Sequence, residues 1–338
     1  MGDEQPTSGD VERVSASNAR VRLGSPDRPQ HWREPPTRRE NAVERTLHDS
    51  PFAFDVEVAY GDLDHLSPVS LRPPLRDYLR DLWQRRHFVW HESRGRFATQ
   101  NSADRLGGFW LVARPFLDAL FYWIMFGLVL RMSQSVDNFV AFVLIGTMTF
   151  QFTSRVIGQS TSVMRGSKAV IRAFSFPRAS IPLALVVREM LSSLPGMAVC
   201  LVMIAVIPPH ALPTPTWLLV PAVFAAQTLL NLGIALCLAR LGSDLPDIAN
   251  ATGFVMRVVT YASGVIFPID KFIGDPVALA IVELNPIYAM LKTYRVVLID
   301  GALPEPLLVA TLLGWGVVLT VVGLIAFWRG EETYARQQ

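Results

Sequence analysis

Short apolar positions alternate with charges over the first third of the chain, and long apolar runs begin abruptly at Phe109. Six runs follow, at about 109–130, 138–155, 181–207, 217–241, 251–267 and 306–328. A helix needs about 20 apolar residues to cross the hydrocarbon core, so these runs predict six transmembrane helices, of which the second and fifth are the shortest. After Phe267-Pro268 the pattern changes. Two short apolar stretches follow, Phe272 to Val282 and Ile287 to Ile299, interrupted at Pro276 and Asn285-Pro286. Neither can cross a bilayer, and together they predict a re-entrant pair that dips into the membrane and returns. Irregular backbone at that depth is tolerated only where protein or a water-filled cavity covers it. The segment therefore points to a pathway through the membrane.

Ahead of the first run, Leu75, Tyr78, Leu79, Leu82, Trp83, Val89 and Trp90 recur at roughly helical spacing, with Arg76, Arg80, Arg85 and Arg86 on the other positions. This predicts an amphipathic helix within 73–105, with Pro73 and Pro74 suited to its first turn. Its Trp and Arg content fits a helix in the cytoplasmic membrane interface, and packing on a small soluble domain is the alternative. Residues 1–72 are rich in Arg, Glu, Pro, Ser and Asp and poor in groups to bury, which predicts a mostly disordered cytoplasmic region. The expected fold is thus an all-α membrane protein: six transmembrane helices over 106–330, a re-entrant helix pair between spans five and six, an N-terminal amphipathic interface helix, and a cytoplasmic tail at 331–338.

Charge sets the orientation. Residues 1–108 hold 16 Lys and Arg and 17 Asp and Glu, against 15 and 12 in the remaining 230. The segment 155–180 carries Arg155, Arg165, Lys168, Arg172 and Arg178 without an acid, whereas 208–216 carries only His210. The positive-inside rule puts 155–180 in the cytoplasm, and with it both termini, so the re-entrant pair falls on the outer face. The first 50 residues hold no apolar core of a signal peptide, in keeping with a cytoplasmic N-terminus. A net charge of +2 gives no argument for nucleic acid. Abundant Ala, Val and Arg with three lysines suit a GC-rich bacterium, and hence its plasma membrane.

The chemistry of an enzyme is missing. Arg165-Gly166-Ser167-Lys168 does not satisfy GxxxxGK[ST], and HExxH, GxSxG, CxxC and EF-hand spacings are absent. Cys200 and Cys237 lie in apolar runs without ligand spacing. No catalytic, cofactor-binding or metal residue is therefore assigned. Charges inside the spans are Asp118, Arg188, Glu189 and Arg257, each about two turns from the cytoplasmic end under this topology. They form either a ring that admits an anionic headgroup or pairs that neutralise one another, such as Glu189 with Arg257 or Asp118 with Arg188. Phe109, Phe116 and Trp123 fall seven apart on the first span, beside Trp110, Phe121, Tyr122 and Phe126. Such a face can line a saccharide path, and interface belts or helix packing produce the same pattern.

Several of these residues together resemble the permease subunits of ABC exporters for O-antigen, teichoic acid and related lipid-linked polysaccharides. The resemblance covers roughly 75–336. It rests on Ser263-Gly264-Val265-Ile266-Phe267-Pro268, Leu284-Asn285-Pro286, Tyr294-Arg295 and the closing Phe327-Trp328-Arg329-Gly330-Glu331. Leu106-Gly107 with Trp110 and Pro115, and Phe176-Pro177 with Arg178 and Pro182, add to it, while the long N-terminus and Ala113-Arg114-Pro115 depart from the usual pattern. The family implies a homodimer with a substrate path at the dimer interface. Two copies of a separate ATP-binding subunit would hold ATP and Mg, with no cofactor in this chain. It further implies a coupling helix near Gln159–Phe174, with Arg165, Lys168 and Arg172, and an outer cap at Phe267, Pro268, Asn285, Pro286, Tyr294 and Arg295.

A polymer on a lipid pyrophosphate needs a path wider than one six-helix bundle, and aromatic walls release it more readily than charged ones. The expected cargo is a galactan, an O-antigen or a teichoic-acid-like polymer. Competing readings are an ABC permease for a drug or small lipid, a proton-coupled carrier, for which no inverted repeat is visible, and a membrane glycan enzyme, for which Asp244 and Asp247 in the short loop after span four would be the acid pair.

Overall fold

In the computed structural model the described residues are 74–102, 107–122, 124–125, 138–168, 171, 176–207, 211, 213–271 and 273–336. The predicted disordered region 1–72 lies outside them. Among the described residues every regular element is helical. The amphipathic segment forms α1 (Leu75–Gln84) and α2 (Arg86–Ser102), followed by α3 (Gly107–Tyr122). Then come α4 (Phe139–Gly166), α5 (Ser180–Val206), and a 3-10 turn at Pro215–Leu219 that runs into α6 (Val220–Asp244).

Four described helices are long and apolar enough to cross a bilayer: Phe139–Gly166, Ser180–Val206, Pro215–Asp244 and Pro306–Gly330, the last being most of α10 (Pro306–Arg336). The tail predicted from residue 331 continues this helix. α3 covers the first part of the predicted span one, whose residues 126–130 lie outside the described set.

Two predicted boundaries shift. The second run was expected to end at Arg155, yet α4 continues three turns further to Gly166. Arg155 does not end it because its charge is met inside the protein, as described below. The Asn138 side chain accepts a hydrogen bond from Ala141 N at 3.1 Å and starts the helix. Thr147 and Thr149 return their hydroxyls to the Val143 and Ile145 carbonyls at 2.8 and 2.6 Å, so these polar residues sit inside an apolar core at little cost. The fifth run forms α7 (Ile248–Ala262), which starts earlier than 251 and stops five residues before Phe267. It is ended by Gly264, whose positive φ of 65° turns the chain into Val265.

The interrupted segment folds as two short helices, α8 (Pro276–Glu283) and α9 (Pro286–Arg295), extended by a π turn at Val296–Asp300. The prolines that interrupt the apolar pattern occupy first-turn positions. Asp275 and Asn285 cap the two helices, each accepting at 3.0 Å from the backbone N–H two residues on. The arms differ in burial. Val277 and Ile281 on α8 are exposed, whereas Ile287 through Leu291 and Thr293 through Arg295 on α9 are buried.

The core is built around α4, whose apolar window is 78% buried against 22% for α10. Ile145 and Met148 of α4 pack with Leu230 of α6 and with Met290, Leu291 and Tyr294 of α9. A second cluster joins Tyr78 of α1 to Met164, Ala179, Leu236 and Phe327. α6 and α10 approach through glycines: a Cβ on Gly233 would lie 2.6 Å from Leu319 Cβ, and one on Gly323 would lie 2.5 Å from Leu236 Cβ. Small residues of this kind let helices associate in lipid, where burial of apolar area gives no drive between them.

Candidate functional site

Three of the four predicted span charges lie in one network. Glu189, on α5 and only 2% exposed, accepts from Arg155 Nε at 3.0 Å, from Gln159 Nε2 at 3.0 Å and from Arg188 Nη2 at 3.1 Å. Arg188 also donates to Gln159 Oε1. Arg155 donates to Gln151 Oε1 at 3.4 Å, and Gln151 Nε2 reaches Asp118 Oδ2 on α3 at 3.3 Å. Two arginines and two carboxylates thus tie α3, α4 and α5 together with no net charge.

Neither predicted pairing forms. Glu189 does not meet Arg257, and Asp118 meets Gln151 instead of Arg188. Arg257 sits apart on α7, exposed and with no hydrogen bond or ion pair among the described residues. The four residues therefore do not make a ring. The sequence presents Arg155 as a loop charge and Gln159 as the start of the coupling segment and gives Gln151 no role, although the four-residue spacing of the three puts them on one face of a helix.

The aromatic candidates divide by what is described. Phe109, Trp110, Phe116 and Phe121 on α3 are each 46–62% exposed, and Phe109 and Trp110 meet edge to face at 5.7 Å. The Tyr122 side chain, Trp123 and Phe126 lie outside the described residues.

The predicted coupling segment Gln159–Phe174 is, in its first half, the end of α4. Arg165 Nη2 donates to the Pro246 carbonyl at 3.3 Å, which joins α4 to the turn between α6 and α7. Lys168 is exposed, and Arg172 lies outside the described residues. The amphipathic helices are anchored next to it. The Tyr78 hydroxyl, buried, accepts from Ala179 N at 3.2 Å, and Ser93 Oγ donates to the Ala184 carbonyl at 2.9 Å.

At the other end of α4 the hairpin residues are held by polar contacts. Phe267, Asn285 and Pro286 are half-buried, while Pro268, Tyr294 and Arg295 are buried. Asn285 Nδ2 donates to Ser263 Oγ at 3.0 Å. The Tyr294 hydroxyl donates to Gln227 Oε1 at 2.9 Å, and Gln227 Nε2 donates to the Thr149 carbonyl at 2.8 Å and to Thr153 Oγ1 at 3.2 Å. Arg295 Nη2 donates to the Val265 carbonyl at 2.9 Å, and its guanidinium lies 3.4 Å from the centre of the Phe142 ring.

This is an arrangement of packed apolar helices crosslinked by internal polar groups, and among the described residues no three His, Cys, Asp or Glu gather to hold a metal. The sequence profile of the ABC-2 type transporter family matches residues 95–299, more than half of the 338-residue chain. The chain belongs to the ABC-2 type transporter family. It is accordingly an integral membrane protein and a transport subunit. Among curated proteins, this ABC-2 transporter is 26% identical over 235 residues to an O-antigen export system permease protein RfbA of Klebsiella pneumoniae, which covers 69% of this chain and 88% of that one. The protein of the same name from Myxococcus xanthus is 22% identical over 260 residues, covering 76% and 94%. A further Klebsiella pneumoniae RfbA is 25% identical over 231 residues, covering 68% and 86%.

Proposed function

We propose that this ABC-2 transporter is the membrane subunit of an ATP-driven exporter that moves a lipid-linked polysaccharide from the cytoplasm across a bacterial plasma membrane. The observation that carries this reading is the match to permeases named for O-antigen export, which takes in 86–94% of their own length. In this reading two copies form the path, and two copies of a separate subunit bind and hydrolyse ATP with Mg.

The chain crosses the membrane six times, with both termini inside. α3 with the segment after it is span one, and α7 with the turn to Phe267 is span five. α8 and α9 cap the outer end without reaching the cytoplasm. Two features support a path outside the single chain. The Glu189 carboxylate is buried and already met by two arginines, so it is not left to face a lumen. On α3 and α7, the side chains of Phe116, Phe121, Phe254 and Tyr261 are 46–67% exposed. The end of α4 with Arg165, Lys168 and Arg172 is the surface that meets the ATPase, and Arg257 is the span charge left to meet an anionic group of the cargo.

The test is to co-purify the chain with an ATPase encoded beside it and to assay hydrolysis with and without lipid-linked glycan. Stimulated hydrolysis is expected, and failure to recover any bound ATPase would sink the assignment. Arg257→Gln separates the roles within it, because export should fall while thermal stability holds. Normal export by that variant would remove Arg257 from the path.

A further inference from the structure

Beyond α7 the chain passes through Ser263, Gly264 and Val265, all of them buried. A buried backbone carbonyl needs a donor. For Val265 that donor is Arg295, at the last position of α9. The same Nη2 lies 3.4 Å from the Phe142 carbonyl at the start of α4, and the guanidinium covers the Phe142 ring. One turn along α4, Gly146 leaves the space this requires, because a Cβ there would collide with both the Val265 carbonyl oxygen and the Arg295 guanidinium. At the opposite end of α9, Asn285 holds Ser263. The two ends of one helix therefore grip the same turn.

The hydrogen-bond and ring partners of Arg295 are neutral, its buried Nε has none among the described residues, and the Asp270 carboxylate acts on it only through space. A guanidinium held by carbonyls and a ring has given up its hydration for modest returns. Each of these contacts is individually modest, and among the described residues no carboxylate hydrogen-bonds the guanidinium.

We propose that Arg295 is a positioning residue that latches the turn Ser263–Phe267 between the end of α9 and the start of α4. This rests on the reading of the hairpin as the outer cap.

The test uses the full chain in lipid nanodiscs, where a water-soluble maleimide reaches both faces and neither ATPase nor glycan is needed. Failure of the export reading would appear in co-purification, whereas failure of the latch appears here. Ile266→Cys reports the turn, the native Cys200, 1% exposed, reports the core, and Leu303→Cys, where leucine is 76% exposed, reports reagent quality.

With Arg295→Met, labelling of the Ile266→Cys reporter should rise about tenfold or more, the scale of losing a hydrogen bond from a charged donor. Cys200 should stay protected, and Leu303→Cys should react as before. Arg295→Lys, which keeps charge without the planar fork, should fall between. An unchanged Ile266→Cys rate with Cys200 protected would overturn the latch. So would reactive Cys200, because the arginine would then be holding the whole core. If Arg295→Met fails to accumulate, Phe142→Leu takes its place: labelling about threefold faster supports the latch, and an unchanged rate overturns it.

Discussion

α4 meets an arginine contact at its middle and another at its start, and the two are solved differently. Around Arg155, charge meets charge: Glu189 takes hydrogen bonds from two arginines and a glutamine, and Asp118 closes the chain through Gln151. Around Phe142, about 20 Å away along the helix, Arg295 is met only by carbonyls and a ring in the contacts described. The first arrangement is hard to open, since parting any member strands a charge. The second can be undone only where water reaches the guanidinium and takes the place of the carbonyls and the ring. Rigid at its middle and releasable at its start is what a helix needs if it is to pass a movement at one face of the protein to a turn at the other.

The largest effect should come from breaking the rigid middle. Glu189→Gln leaves Arg155 and Arg188 without their carboxylate, and because Arg155 is 38% exposed the cost should be near about 3 kcal/mol, the low end for a broken buried pair. A fall in the thermal midpoint of the detergent-solubilised protein checks it, and an unchanged midpoint would mean that the two arginines are hydrated where they stand. Next is Tyr294→Phe, which deprives the fully buried Gln227 of its donor and should cost about 1–3 kcal/mol on the same measurement. If it proves as damaging as Glu189→Gln, the two parts of α4 are equally rigid and the contrast fails.

A smaller loss, about 1 kcal/mol, is expected for Tyr78→Phe, which removes the hydroxyl that receives Ala179 N. Since that contact joins α1 to the segment ahead of α5, faster proteolysis between residues 74 and 102 should accompany it. Unaltered proteolysis would show that packing alone seats α1. Asp118→Asn should be nearly silent, within about 0.5 kcal/mol, because Gln151 bonds an amide oxygen as well as a carboxylate. A large loss there would show that Asp118 serves as a charge for Arg155.

The sequence was most readable where a residue type has few innocent uses. Charges inside apolar runs are rare, so Asp118, Arg188 and Glu189 stood out, and the structure gathers these three. Proline and asparagine at helix starts made α8 and α9 visible, since Pro276 and Asn285-Pro286 are start signals as much as interruptions. The end of α4 was not readable, because Arg155 and Arg165 looked like a positive-inside loop. Whether an arginine lies in a loop or pairs across helices depends on a residue 34 positions away, Glu189. Gln151 and Gln159 escaped because a neutral amide is unremarkable on any helix. The partners of Arg295 escaped for a stronger reason: a backbone carbonyl has no letter in the sequence.

The glycines between α6 and α10 bear on how motion in this transporter can be measured. With Gly233 against Leu319 and Gly323 against Leu236 at near backbone contact, neither helix can slide past the other without a clash. The pair is therefore an internal ruler. Spin labels on its exposed positions, such as Val318 and Leu241, should keep a fixed separation throughout the transport cycle, and displacements of α3, α7 or the hairpin can be read against them.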